Sequence, residues 1–486
     1  MHSRRLPALL ILMGLLTAFT GGEEAITRPH QDRTVGARSV SLHGRTYVDQ
    51  GLVGAGMLSA DTVDFLGDTL GSFSSLKIAR DSWKRVGDHY EGVLWTLPDR
   101  GRNDPAAKLF FDYPARLNRF HVRFTPASGT LGLIPDGGLE LRDFRGQPFT
   151  GADPGPGTLT ERGIVLPAPA SGTGAGKVSF DAESLQFTRD GGFYIGDEYT
   201  ANIYYFDRQG RLRGVIRPPS AITPQRAGRT YFGSLQTPET GRRNNQGPEG
   251  MSLSPDGRTL FVALQSALMQ DSATGNAAGR INTRVLVYDL SHTPTPTHPI
   301  AHHVVQLPAY THRGDGSAAN RTAAQSEILA LDDHRFLMLA RDAAGRGAEK
   351  TTPVVYKSIL LVDTTGATDL AGTPYETGTA SVLRSPAGTT LKTGIVPADR
   401  VEFINMLNPV QLARVGLTVA DLSEKWEAMD LVPVLEQDHP NDYFLLVGND
   451  NDFIARHCQM SGQSCDSDVD NDNRILVYRV ALPVPM

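Results

Sequence analysis

Cysteine is almost absent: two occur in 486 residues, Cys458 and Cys465. That excludes a disulfide framework and leaves one local loop to close, with a Cys-x6-Cys zinc site as the alternative, weakened because no matching His/Cys pair lies nearby. Basic excess is absent too. Asp and Glu number 53 against 47 Lys and Arg, a formal charge of −6, which argues against the cationic face that a nucleic-acid backbone requires. No heptad pattern is present, and no long stretch has helical period before the 400s. No H-E-x-x-H occurs, and "EGMSLSPDG" lacks the G-x-S-x-G spacing of a nucleophile elbow. "SGTGAGKVS" (171–179) has Ser171 in place of the first P-loop glycine and Val178 after Lys177, and it precedes a strand. With no placed Ser-His-Asp set, a serine hydrolase is not expected. "DSDVDNDN" (466–473) lacks the glycine and terminal glutamate of an EF-hand and reads as a solvated acidic loop.

Long hydrophobic runs are missing except at one place. After Arg4 and Arg5, the stretch from Leu6 to about Phe19 is apolar and is followed by small residues. This is the anatomy of a secretory signal peptide, expected over residues 1–25, and it is short for the signal anchor that is its alternative. No cysteine follows to carry a lipid. The chain is therefore expected to be secreted or periplasmic, with no stable membrane span once the signal is removed, and with an N-terminal segment over 26–44 ahead of the main domain. The oligomeric state is left open.

Turn formers, in contrast, are plentiful: 50 glycines and 31 prolines. They punctuate a repeat. "DAESLQFTRDGGFYIGDEY" (181–199) runs from Glu183 through an apolar strand, an Asp-Gly-Gly turn and a second strand that ends in Asp197-Glu198. "GPEGMSLSPDGRTLFVALQSA" (247–267) repeats this from Glu249, "QSEILALDDHRFLMLARDAAG" (325–345) from Glu327, and "KWEAMDLVPVLEQDHPNDYFLLVGNDND" (425–452) from Glu427. Third strands follow each, as in "RVLVYDLS" and "SILLVDTTG", and fourth strands fit "VIRPP" and "HHVVQLP". An earlier unit, with "GVLWTLPDRG" at its centre, has the strand pattern without the leading glutamate. Three to four strands per unit, joined by Asp-Gly hairpins, predict an all-β chain and a β-propeller of six blades, with five or seven as alternatives and a two-sheet sandwich as the rival architecture. Residues near 38–58 are expected to supply strands that close the ring. Residues 146–176 read as a long surface loop, and 400–424 as a short helical insert.

If the four glutamates open the innermost strands, they converge on the axis. The second-strand ends then add a neighbouring tier: Asp99-Arg100, Asp197-Glu198, Gln265, Arg341-Asp342 and Asn449 to Asp452. Crowded carboxylates raise one another's pKa, and a hard cation with oxygen ligands, Ca²⁺ above all, resolves the repulsion. The bland alternative is that each acid caps a turn or a neighbouring N–H group.

"WTLPDRGRN" (95–103), the 181–212 unit, "NNQGPEGMSLSPDGRTLFVALQSAL", "SEILAL" with "FLMLARD", "EKWEAMDLVPV" and "FLLVGNDNDF" occur in that order. Together they resemble the phytase-like domain family, also described as "esterase-like activity of phytase" proteins, over roughly residues 45–483. The resemblance implies an exported propeller domain (45–486) and a hydrolase of phosphoric or carboxylic esters that uses Ca²⁺ and acts on small molecules. By analogy with calcium-dependent propeller phytases, Glu183, Glu249, Glu327, Glu427, Asp197, Asp342 and Asp450 are the expected metal ligands. Arg100, Arg341, Asp99 and Glu198 are the expected catalytic residues. Two other readings are carried with it: a binding or scaffold protein with a structural Ca²⁺, and a lactonase-type hydrolase.

Overall fold

The computed structural model describes residues 25–30, 32–273, 275–348 and 351–483, so the expected signal peptide lies almost wholly outside the described residues. Regular structure is nearly all β, as the turn-rich composition implies. Three four-stranded antiparallel sheets are built from consecutive strands, over 182–216, 248–306 and 324–405. A fourth sheet has ten strands. It consists of two antiparallel halves, 75–140 and the C-terminal strands with Arg45–Leu58, which touch through a single parallel bridge at Ala55 and Thr130. Arg45–Leu58 pairs along the C-terminal strand Asn473–Ala481, so the two ends of the described chain are sewn into one sheet, as expected for residues 38–58.

Each sheet, or half of the large one, contributes one strand to an inner ring. The five strands are Ser75–Ile78, Ala182–Phe187, Pro248–Leu253, Ala324–Ala330 and Lys425–Pro433, and each neighbours the next until the last meets the first. Because sheets pack on both sides, the middle strands lack the polar alternation of a half-exposed sheet: Arg335–Arg341 and Lys357–Asp363 are buried at every position. Separate apolar clusters fill the spaces between neighbouring sheets. Phe180, Leu185, Phe193, Ile195 and Phe206 form part of one, and Phe261, Ile328, Phe336 and Met338 part of another. Each such side chain contributes about 1.5–3 kcal/mol by leaving water.

Two sequence expectations need revision. The helical insert expected over 400–424 begins instead as a strand: Asp399–Asn405 is the fourth strand of the third sheet, where pairing with Lys357–Asp363 overrides the helical pattern of "VEFINM". The helical part there is Pro409–Ala413, started by Asn408, whose side chain accepts from the Val410 and Gln411 amides, with a further 3-10 turn at Val419–Asp421. Residues 146–176, expected to be a surface loop, contain a hairpin (Thr158–Glu161 with Ile164–Pro167) and bury Phe149 and Leu166.

Candidate functional site

Four of the five inner strands carry a β-bulge near the start of their pairing, and Ser75–Ile78 pairs without one. In three sheets the residue skipped by the ladder is a glutamate: Glu183, Glu249 and Glu427. A bulge leaves its residue unpaired and re-aims the side chain, and these three carboxylates converge, with oxygens within 4.8 Å of one another. In the fourth bulged strand the skipped residue is Ser326, one position before Glu327. Glu327 therefore sits in register and points elsewhere. Its oxygens accept from the Met251 and Ile328 amides (3.1 and 2.9 Å) and from Ser75 Oγ (2.9 Å), and Lys77 Nζ lies at 3.3 Å. Glu327 thus ties neighbouring inner strands together and does not join the cluster, contrary to its expected place in a ring of four. Space between those strands is short: a Cβ on Gly250 would lie 2.9 Å from the Ile328 amide nitrogen, which accounts for the glycine after Glu249.

The clustered acids extend into a chain of three overlapping trios: Glu183–Glu249–Glu427, Asp99–Asp181–Glu183 and Asp99–Asp450–Asp452. Of the expected second tier, Asp99, Asp450 and Asp452 are brought in. Asp197 and Asp342 are not. Asp197 accepts from the Asp181 and Thr200 amides (both 3.0 Å) and from Thr200 Oγ1 (2.5 Å), and so closes its own turn. Asp342 takes the Val355 and Tyr356 amides and Lys357 Nζ, at 2.5, 2.9 and 2.8 Å. Glu198 lies beside the cluster, one oxygen accepting from the Gly247 amide at 2.6 Å and the other buried without a partner.

Among the described residues, three cations pair directly with these acids. Arg341 donates to Glu427 and to Ser326 Oγ. Arg100 forms an ion pair with Asp181 at 2.8 Å, donates to Asn245 at 2.6 Å and lies over the Tyr199 ring. Lys425, the cross-strand partner of Asp450, reaches Asp452 at 2.6 Å and Asp450 at 3.4 Å. Sequence reasoning missed Asp181 and Lys425. Each stands two residues before a bulged glutamate, a spacing that shared strand faces would have flagged.

The charge balance is lopsided. Burial first, then Glu249, Asp181, Glu198 and Asp99, holds Glu183 well above the usual carboxylate range. Burial, Glu198 and Glu427 do the same to Glu249 against the pull of Arg341 and Lys425. Burial raises Asp99 to about 7 and Asp181 to about 6, the latter against the pull of Arg100. Burial alone would lower Lys425 and Arg341, but their acidic neighbours reverse the sign and keep both charged. Glu249 Oε2 and Asp181 Oδ1 are buried with no hydrogen-bond partner, and no donor reaches Glu183 among the described residues. An all-oxygen set with unsatisfied carboxylates fits a hard divalent cation. Glu183, Glu249, Glu427, Gln265, Arg341 and Lys425 all line one cavity of about 340 Å³, which gives a ligand access to them.

The other sequence candidates are accounted for locally. Cys458 and Cys465 form a disulfide. In the acidic loop beside it, Asp466 accepts from the Cys458 amide and Asp470 from the Arg456 amide, both at 2.8 Å.

Comparison with known proteins adds a name to this arrangement. The profile described as "Phytase-like: Esterase-like activity of phytase" matches residues 69–453, most of the chain and every inner strand. This chain belongs to the phytase-like family. A relative from Arthroderma benhamiae, described as an uncharacterized secreted protein, is 35% identical over 462 residues, covering 85% of this chain and 88% of its own. No helix among the described residues is long and apolar enough to cross a membrane. Among solved structures, a glycosyl hydrolase from Bacteroides ovatus is 10% identical and covers 86% of each chain at a TM-score of 0.31, a likeness too slight to inform the chemistry.

Proposed function

We propose that this phytase-like protein is an exported, calcium-dependent ester hydrolase acting on phosphoesters, and that its sheets form a β-propeller of five blades. The closed ring of five inner strands supports five blades in place of six, since the ten-stranded sheet divides into two halves that each contribute one inner strand. Residues 1–25 are then a signal peptide, 26–44 a leading segment whose strand Arg38–Leu42 pairs onto Arg45–Leu58, and 45–486 the propeller domain. The family and the secreted relative agree with export and with a hydrolase.

The observation that carries the reading is the convergence of Glu183, Glu249 and Glu427 at a cavity also lined by Arg341. Ca²⁺ held by these carboxylates would supply a Lewis acid for the phosphoryl oxygens. Arg341 and Arg100 orient the anionic group and stabilise the negative charge that develops on it. Asp99, buried beside Asp181 and Glu183, is the acid assigned to proton exchange. Glu198, raised by burial, has a free oxygen for the same task.

A second reading, a propeller scaffold with a structural Ca²⁺, is favoured by one observation: Arg100 and Arg341 are already paired with Asp181 and Glu427. One assay separates the two. Purified protein is tested on phosphomonoester, phosphodiester, carboxylester and lactone substrates after chelation and after Ca²⁺ is restored. Phosphoester turnover that Ca²⁺ restores and Glu249→Gln abolishes is the expected result. Turnover of lactones alone would move the assignment to a lactonase. No turnover of any substrate, with Ca²⁺ still raising the melting temperature, would leave the scaffold.

A further inference from the structure

The three trios are not served equally by the protein's own cations, and at Asp99–Asp181–Glu183 the Arg100 guanidinium already sits 2.8 Å from Asp181. At Glu183–Glu249–Glu427, Arg341 engages Glu427 from one side, while Glu183 meets no donor among the described residues. Glu249, 3% exposed, lines the cavity with one oxygen unpartnered. At Asp99–Asp450–Asp452 the situation is reversed. Lys425 Nζ lies 2.6 Å from Asp452 Oδ1 and 3.4 Å from Asp450 Oδ2. Two further oxygens there already hold backbone donors: Asp450 Oδ1 accepts from the Asp452 amide at 2.6 Å and Asp99 Oδ1 from the Gly101 amide at 2.9 Å.

We propose that Lys425 is a built-in cation that fills the Asp99–Asp450–Asp452 trio, so that the acidic cluster takes one divalent ion, at Glu183–Glu249–Glu427, and a second site opens only when Lys425 is removed. The first half rests on the cation reading above; the second stands on the Lys425 geometry alone. An ammonium at 2.6 Å from a carboxylate oxygen occupies the space in which Ca²⁺ would sit, since its own oxygen contacts are about 2.3–2.6 Å. The two cannot share the trio. Lys425 is fixed there because it pairs across the strands with Asp450 and is itself mostly buried, with its side chain 21% exposed.

The test is the number of Ca²⁺ ions bound per chelator-treated chain, measured by titration calorimetry and checked by thermal melting. Wild type and Lys425→Arg should bind one ion, and Lys425→Gln two, the second being lost again in Lys425→Gln/Asp452→Asn. A wild-type count of two that falls to one in Asp452→Asn would overturn the inference while leaving the cation reading intact. So would a Lys425→Gln chain that folds and gains no ion. A wild type that binds none, beside a Lys425→Gln chain that binds one, would refute the Glu183–Glu249–Glu427 reading and uphold the role of Lys425. No ion in either refutes both. If Lys425→Gln does not fold, Asp452→Asn in the otherwise native chain decides: an unchanged count of one upholds the inference, and a lost ion overturns it.

Discussion

Glu249→Gln and Glu327→Gln make the same chemical change on adjacent inner strands, yet their surroundings assign them opposite outcomes. Glu249 shares a 4.8 Å neighbourhood with Glu183 and Glu427. Two carboxylates at that separation repel by about 3 kcal/mol at an effective dielectric of 20. Proton uptake and solvent in the cavity relieve part of this. Without metal, Glu249→Gln should therefore be neutral or stabilise the fold by roughly 1–2 kcal/mol. The substituted amide keeps an oxygen for Gln265, whose side chain donates to Glu249 at 2.6 Å. Glu327→Gln instead leaves Lys77, 4% exposed, with no counter-charge, and turns an amide N–H toward a position now filled by donors. Removing one member of a buried pair costs about 3–5 kcal/mol. For a folded unit of this length that corresponds to a melting-temperature drop of roughly 3–5 °C. Scanning calorimetry in EDTA, then with Ca²⁺, reads both variants. An ion at a thousand times its dissociation constant adds about 4 kcal/mol, a gain that Glu327→Gln should keep and Glu249→Gln should lose. The sorting of the glutamates is refuted if Glu327→Gln is as stable as wild type but loses the Ca²⁺ gain, or if Glu249→Gln in EDTA unfolds several degrees early.

Other regions make independent predictions. Burial, opposed by Glu376 and reinforced by Arg284, holds His302 at about 4, below the ordinary 6.5. The unfolded chain takes up this proton first, so the stabilisation is complete above about pH 6.5 and is lost as pH falls toward 4, by up to about 1.4 kcal/mol per unit. Denaturant midpoints of His302→Gln should lack that slope between pH 4.5 and 6.5 relative to wild type; identical slopes would sink the idea. Arg116 is fully buried between Asp64 (2.5 Å) and Asp68 (2.8 Å), over the Tyr113 ring. Arg116→Met should cost about 3–5 kcal/mol in urea unfolding, and adding Asp64→Asn and Asp68→Asn should recover much of it. Replacing Cys458 and Cys465 by serine opens a short loop and should cost about 2–3 kcal/mol, read as a lower melting temperature that reductant no longer affects.

Much of the fold was legible because hairpin turns and apolar runs are local signals. The 182–216, 248–306 and 324–405 sheets follow the strand order that the repeats suggest. Where the pattern misled, a long-range partner decided. Residues 399–405 have helical spacing, yet sheet pairing holds them as a strand. The site was legible in part. Glu183, Glu249, Glu427, Asp99 and Asp450 cluster as the repeated register implies. Glu327 occupies the same place in the written repeat but lies one residue beyond its bulge. Asp197 and Asp342 were indistinguishable from Asp450 by position at a strand end, and only their backbone partners separate them.

By itself the sequence determined that this chain is all-β, built of repeated hairpins, with acids recurring at the strand entrances, because side-chain alternation and turn chemistry act within a few residues. Which acids share a site was decided only in the tertiary structure. A bulge shifted by one residue sends a carboxylate to a different neighbour, and that shift is set by pairing and packing between strands tens of residues apart.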